Sequence, residues 1–434
     1  MLSLNRPPFH FLMAVLFGAP FGSALACPPL SDDSASNLSA GDLLARVAPC
    51  HPDVRAAELA FAGARADVLT AAQRPNPQLT VGAASLSRDL GSGRFWDKTF
   101  DHQLRIDQLI ERGDKPALRV AAADASRAAA RADLAEALRQ ARLTTLRTYH
   151  DLRAALARRA ELQSTATLYD ESRRALERRV GAGDAAPLDA IRFELDTLRL
   201  QTDLRQADAD TRTLRLQLAS IIGAEAKAEQ LTPTALEPAT QIAQNSPQNL
   251  DRRPDVVAAQ ARLDAARAAR ELARALRTRD VSIGVQLDRY PVSDTNSSGT
   301  GNTMSVFLSI PLFVRHAYEG ENARAEADVN SAEEVLRRVR SAAQTDFHRA
   351  VAQWQAAQTR RRLIAEELLP AAERVAAGAE LAYRRGASSV LDVLDARRAL
   401  RAAHIERITA EADLAKVAAE LDATRQNVDI TALP

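Results

Sequence analysis

The stretch that decides the fold is residues 114–187, DKPALRVAAADASRAAARADLAEALRQARLTTLRTYHDLRAALARRAELQSTATLYDESRRALERRVGAGDAAP. Its one early proline, Pro116, falls in the first turn of a helix, where a missing N–H costs nothing. From there to Gly181 the composition is Ala, Arg, Leu, Glu and Gln, all strong helix formers. At 1.5 Å per residue the helix runs roughly 100 Å, far beyond an ordinary globular helix. A tight turn at Val180 to Pro187 then sends the chain back through a second long helix to about Leu218. No compact core needs such a hairpin, so an extended architecture is expected.

The hairpin recurs. Gly183-Asp184-Ala185-Ala186-Pro187-Leu188-Asp189 aligns with Gly386-Ala387-Ser388-Ser389-Val390-Leu391-Asp392 at an offset of 203. Upstream, His51-Pro52-Asp53-Val54 aligns with Arg253-Pro254-Asp255-Val256, and Gly82 with Gly284, at an offset of 202. The chain therefore reads as two copies of one unit. The first repeat is placed at 27–236, a linker at 237–252, the second repeat at 253–425 and a short tail at 426–434. Each unit runs short helix, β-hairpin, long helix, returning helix. The long helices are expected at about 114–181 and 315–385, with Pro370 bending the second.

Between helices the hydrophobic period drops to two. Leu79, Val81 and Ala83 alternate with Thr80, Gly82 and Ala84; Leu104, Ile106, Gln108 and Ile110 alternate with Arg105, Asp107 and Leu109. The second unit repeats this at Val281, Ile283, Val285 and Leu287, and again at Met304, Val306, Leu308 and Ile310. Strands are thus expected at about 78–87, 100–110, 280–290 and 303–313. One face is apolar; the other carries Arg105, Asp107, Gln286 and Asp288. This pattern suits a barrel wall with lipid outside and water inside, or a soluble sheet with one face on a core. Secretion and the lack of any other place to bury four such strands favour the barrel. Phe95, Trp96, Phe100, Tyr290 and Phe313 flank the strands where an interfacial aromatic belt would lie. In the returning helix, Leu188, Ile191, Leu195 and Leu198, then Leu214, Leu218 and Ile221, have the spacing of a packing seam.

Composition fits helix-on-helix packing: aromatics are 4% of the chain, and acids and bases balance to a net charge of +1. No basic patch marks a nucleic-acid partner. Residues 1–26 read as a secretory signal, with Arg6, an apolar run at Phe9 to Phe17 and a small-residue cleavage site at Ala24-Leu25-Ala26. Cleavage would leave Cys27 first, a candidate for lipidation; pairing with Cys50, or two unmodified thiols, are the alternatives.

Arg253-Pro254-Asp255-Val256, Ser309-Ile310-Pro311-Leu312-Phe313 and the run Gly386 through Asp395, duplicated and in this order, resemble the TolC family of outer-membrane factors. Within that family the likeness is to the branch serving cobalt-zinc-cadmium efflux systems. The resemblance spans essentially the whole mature chain. It implies a mainly α fold with a β-barrel portion: a homotrimer closing a twelve-stranded outer-membrane barrel, continuous with a periplasmic α-helical barrel. The implied partners are a periplasmic adaptor, an inner-membrane pump of the resistance-nodulation-division type, and outer-membrane lipid. The implied docking turns are Gly183, Asp184, Ala185, Gly386, Ala387 and Ser388. The implied periplasmic gate falls among Glu373, Glu380, Tyr383, Arg384 and Arg385. The implied cargo is divalent heavy-metal cations, conducted passively; a channel for drugs or secreted protein, or a soluble periplasmic scaffold or adaptor, are the rival readings.

Neither an enzyme nor a cofactor is expected. The seven histidines show no zinc-like pairing, and Cys50-His51 offers only two neighbouring ligands. Gly181-Ala182-Gly183 and Gly91-Ser92-Gly93 lack the context of phosphate loops, and no serine has a nucleophile-elbow setting.

Overall fold

Buried side chains recur every seven residues along each long helix, and that repeat sets the architecture. In a computed structural model, which describes residues 27–84, 86, 100–183, 186–234, 250–290 and 301–425, helix α4 (Lys115–Gly181) is continuous over 67 residues. Its lower part buries Leu162, Tyr169 and Leu176. Helix α5 (Pro187–Ile222) answers with Phe193, Leu200 and Ala207. In the second unit α7 (Glu319–Leu363) buries Val329, Leu336, Ala343 and Ala350, and α9 (Val390–Arg425) buries Ala396, Ala403 and Ala410. A strict seven-residue spacing keeps the contact line on one side of a helix over many turns. Alanine at so many of these positions lets the axes approach closely.

The expected seam on α5 is corrected. Leu188, Ile191, Leu195 and Leu198 are each at least half exposed, while the face carrying Phe193, Thr197 and Leu200 packs inward. Helix α5 therefore has two apolar stripes, and one has no partner within the described chain. Only the upper group behaves as expected: Leu218 is buried, with Leu214 and Ile221 packed against its cluster.

The second long helix begins at Glu319, and it is not one helix. A π-turn at Ile364–Leu368 separates α7 from α8 (Leu369–Arg384). Pro370 has no N–H to give the carbonyl four residues back, and the ladder shifts register just ahead of it, with the Leu369 N–H donating to Ile364 O.

Short helices stack along the upper halves of the long ones. Helix α2 (Ala40–Cys50) is capped by Ser39. Helix α3 (Pro52–Ala72) is capped by the His51 ring nitrogen at 3.2 Å from Asp53 N. Both α3 and α6 (Pro254–Ala275) lie against α4. Ahead of α2 a single short turn forms α1 (Asp32–Ser36). After α5, Glu225–Gln230 forms a 3₁₀ turn, Leu231 is fully buried, and Thr232 to Thr234 hydrogen-bond with Ala35 and Leu38. The Tyr149 hydroxyl donates to Leu38 O at 3.3 Å or Thr234 O at 3.1 Å, locking this layer onto α4.

The strands are β1 (Gln78–Ala84), β2 (Asp101–Ile110), β3 (Val281–Tyr290) and β4 (Gly301–Ser309), shorter than expected at four of their ends, while β4 begins two residues early. They form one antiparallel sheet in sequence order. Register aligns Leu79, Ile106, Val285 and Val306 in one row and Val81, Leu104, Leu287 and Met304 in the next. All eight are between 43% and 73% exposed, so this face has no core beneath it in the single chain. Of the expected aromatic belt, Phe100 is buried and Phe313 meets the Tyr318 ring edge to face, while Phe95 and Trp96 lie outside the described residues.

Sheet and helices are joined tightly. Buried Lys115, at the start of α4, donates to Asp280 Oδ1 at 2.7 Å and to Thr278 O at 2.8 Å. Asp114 and Tyr318, at the matching entries to α4 and α7, both adopt the left-handed backbone conformation.

Candidate functional site

Two places on this scaffold carry the expected sites: the ends of the two helical hairpins and the sheet. At the second hairpin, Gly386 has φ +75°, and its N–H donates to Tyr383 O at 3.0 Å while the Ala387 N–H donates to Ala382 O at 2.8 Å. This pair of bonds closes a helix end around a left-handed residue, for which glycine is the low-strain choice. Ser389 then caps α9. Its N–H and hydroxyl donate to Asp392 Oδ2 at 2.9 and 2.8 Å, holding that carboxyl below its ordinary pKa. At the first hairpin Gly183 has φ +82°. Neither glycine has a heavy atom near where a Cβ would stand, so both face open space. Ala387 is exposed and Ser388 half-buried, whereas Asp184 and Ala185 lie outside the described residues.

Above the turns, the gate candidates separate. Tyr383 accepts a hydrogen bond from Arg179 Nη1 of α4 at 2.7 Å and packs on the Tyr169 and Phe193 cluster. Glu380 accepts from Arg397 Nε of α9 at 3.0 Å and from Arg384 Nη2 at 3.4 Å. Arg385 and Glu373 are exposed and make no hydrogen bond or ion pair through their side chains among the described residues.

The densest polar cluster here was not singled out in the sequence. Buried Asp196 of α5 accepts two hydrogen bonds from Arg398 of α9, at 2.7 and 2.5 Å. Arg397 Nη1 reaches Ser172 Oγ of α4 at 2.9 Å. Burial pushes the Tyr169 hydroxyl pKa up, and the Asp196 carboxylate adds to the shift. The available signal was the repeat itself: Asp196 and Arg398 stand 202 residues apart, one short of the offset at the turns. Opposite charges at nearly equivalent positions of two copies meet where the copies pack.

The sheet presents two unlike faces. Opposite the exposed apolar rows, Arg105 pairs with Asp107 at 2.7 Å and lies 4.3 Å over the Phe307 ring. Gln286 Nε2 donates to Asp288 Oδ1 at 2.7 Å. Gly284 leaves the room that Asp107 and Arg105 occupy. Among the described residues the outer edges of β1 and β4 have no strand partner. A sheet with an apolar outside, a hydrogen-bonded polar inside and two open edges can line a water-filled wall.

Cys27 is corrected. It forms a disulfide with Cys50, and a sulfur so bonded cannot also carry a thioether lipid. Among the described residues no group of three or more His, Cys, Asp or Glu could hold a metal ion. No described helix is long and apolar enough to cross a membrane.

Residues 245–425 match the family described as outer membrane efflux protein. The cobalt-zinc-cadmium resistance protein CzcC of Cupriavidus metallidurans is 25% identical over 386 residues, 88% of this chain and 86% of that protein. The outer-membrane channel OprN superposes with TM-score 0.75 at 23% identity, covering 89% of each chain. CusC superposes with TM-score 0.73 at 18% identity over 98% of each chain. The match at residues 245–425 and a shared fold over nearly the whole length make this chain similar to the outer membrane efflux proteins, which are channels of the outer membrane and not enzymes.

Proposed function

We propose that this channel works as a homotrimer in a tripartite pump and passes divalent heavy-metal cations from the periplasm to the exterior. The observation that carries the assembly is the sheet: four strands, two open edges and an exposed apolar face. Unpaired backbone cannot stand in lipid, so such a sheet needs neighbours on both sides, and three copies would close twelve strands. The unpartnered stripe of α5 at Leu188, Ile191 and Leu195, and a similar one of Val375 and Leu381 on α8, supply apolar surface for the neighbouring subunits' helices.

Metal cargo is favoured by the likeness to CzcC over 88% of the chain. A duct needs no metal ligands of its own, since choice of cargo can reside in an inner-membrane pump of the resistance-nodulation-division type. The hairpin ends at Gly183, Asp184 and Ala185 and at Gly386, Ala387 and Ser388 dock a periplasmic adaptor. Tyr383 and Glu380, tied to α4 and α9, hold the periplasmic end shut; Arg384 supports Glu380, while Glu373 and Arg385 are free to meet a neighbouring subunit.

Growth of a strain lacking the gene, with and without complementation, tests the cargo on graded zinc, cobalt and cadmium beside dyes and detergents. Sensitivity confined to metals supports the proposal. Sensitivity confined to organic compounds removes the metals and leaves a duct for drugs.

A further inference from the structure

Four helices of the upper bundle surround a space that they do not fill. Helices α2, α4, α7 and α9 line a cavity of about 810 Å³. On α4 the lining residues include Arg142, Leu146, His150 and Arg153, and on α7 Trp354 and Arg361, each set spaced as one helix face. Alanines on α9 face them, and their small side chains leave the gap open. The volume falls in the usual range for small-molecule sites, roughly 300–1,000 Å³.

The lining is mixed in a directional way. Trp354 is nearly buried and belongs to an apolar cluster, giving a flat hydrophobic wall. Four guanidinium groups also line the space: Arg139 is paired with Glu136 at 2.6 Å, while Arg142, Arg153 and Arg361 form no ion pair or side-chain hydrogen bond among the described residues. His150 is 6% exposed, and its Nδ1 has no hydrogen-bond partner; Arg142 Nε is likewise buried and unbonded. Both atoms are closed off from the space itself, so what the lining offers a ligand is the guanidinium ends of the arginines and the remaining edge of the His150 ring. Of the two acids lining the space, Glu411 is already paired with Arg407 at 3.0 Å and Asp422 lies within the field of Arg425, so the three unpaired guanidinium groups outnumber the acids left to them.

We propose that this cavity binds an organic anion with an apolar body, its carboxylate or sulfonate held by Arg142, Arg361 and His150 and its body against Trp354. The inference is independent of cargo and pump.

The full chain carries two tryptophans, so Trp96→Phe leaves Trp354 as the sole donor for energy transfer. The purified trimer in a neutral detergent is titrated with dansylglycine, an aromatic carboxylate, and in parallel with the cationic dansylcadaverine. The expected result is saturable transfer from Trp354 to dansylglycine, at least tenfold weaker for dansylcadaverine, and at least tenfold weaker again when Arg142→Gln and Arg361→Gln are combined. Absence of saturable transfer, equal affinity for the two probes, or an unchanged affinity in a folded double variant would each overturn the proposal. Should the double variant fail to assemble, the comparison of the two probes on the Trp96→Phe protein decides alone.

Discussion

The Tyr383 hydroxyl of α8 accepts a hydrogen bond from Arg179 Nη1 of α4 at 2.7 Å, with the guanidinium carbon 5.1 Å from the ring centroid. One contact thus ties the end of the first hairpin to the end of the second by both a hydrogen bond and a cation–π interaction, each worth about 1 kcal/mol at a half-exposed site. Tyr383→Phe keeps the ring and removes the hydroxyl. Single-channel conductance of the purified protein in planar bilayers is expected to rise several-fold at low voltage, with unchanged trimer yield. Wild-type conductance in this variant would take Tyr383 out of the gate.

Gly386 separates a turn role from a docking role. Asparagine tolerates φ +75° far better than other non-glycine residues, and nothing stands where its side chain would begin. Gly386→Asn is expected to preserve the amount of trimer in the membrane while reducing cross-linking to the adaptor and lowering metal tolerance. Gly386→Val, which adds backbone strain of about 1–2 kcal/mol, is expected to reduce both. If Gly386→Asn cross-links normally, the glycine makes a turn and no more.

The Cys27–Cys50 bond closes a loop across a separation of 23 residues, for which chain entropy gives about 3 kcal/mol. Beside it, Arg46 Nη2 donates to Pro28 O at 2.6 Å and to Ile222 O at 3.2 Å, so the bond anchors the N-terminal segment where α5 ends. Non-reducing mass spectrometry of the mature protein is expected to show a Cys27–Cys50 linked peptide and no lipid mass. Replacing both cysteines by serine is expected to lower the thermal midpoint by several degrees. A lipid-modified Cys27 peptide would overturn the pairing.

His150 makes stability depend on pH. Burial, reinforced by Arg153 and opposed by Asp151, lowers its pKa from 6.5 to about 4. The unfolded chain takes up a proton at this residue near pH 6.5 that the folded chain refuses until near pH 4. Stability is therefore complete above that window and falls as pH drops through it, by about 3 kcal/mol in all. Thermal unfolding between pH 7 and pH 4 is expected to show this loss, and His150→Gln to flatten it. Equal slopes for the two proteins would place the charge-sensitive group elsewhere.

Much of the scaffold was legible because its signals are local. Alanine-rich runs of strong helix formers marked the long helices, the first free of internal glycine and the second interrupted only at Pro370 and two glycines, and strict alternation from Val281 to Leu287 marked a strand. The positive-φ turns at Gly183 and Gly386 follow from glycine at a helix end. The gate candidates were legible only as a neighbourhood. Tyr383 and Glu380 proved connected while Glu373 and Arg385 did not, since a charge in an amphipathic helix has the same sequence context whether it faces a partner or water.

By itself the sequence determined the order of elements, their duplication and the alternation of apolar and polar strand faces, because each depends on spacing within one segment. The tertiary structure alone decided which of the two apolar stripes on α5 packs inward, that Phe193 and Leu200 are buried while Leu188 and Ile191 are not. It also decided that Cys27 meets Cys50, and that Asp196 meets Arg398 across the two copies. These outcomes depend on where a distant helix lies, and two stripes of similar hydrophobicity compete for one partner until that helix is in place.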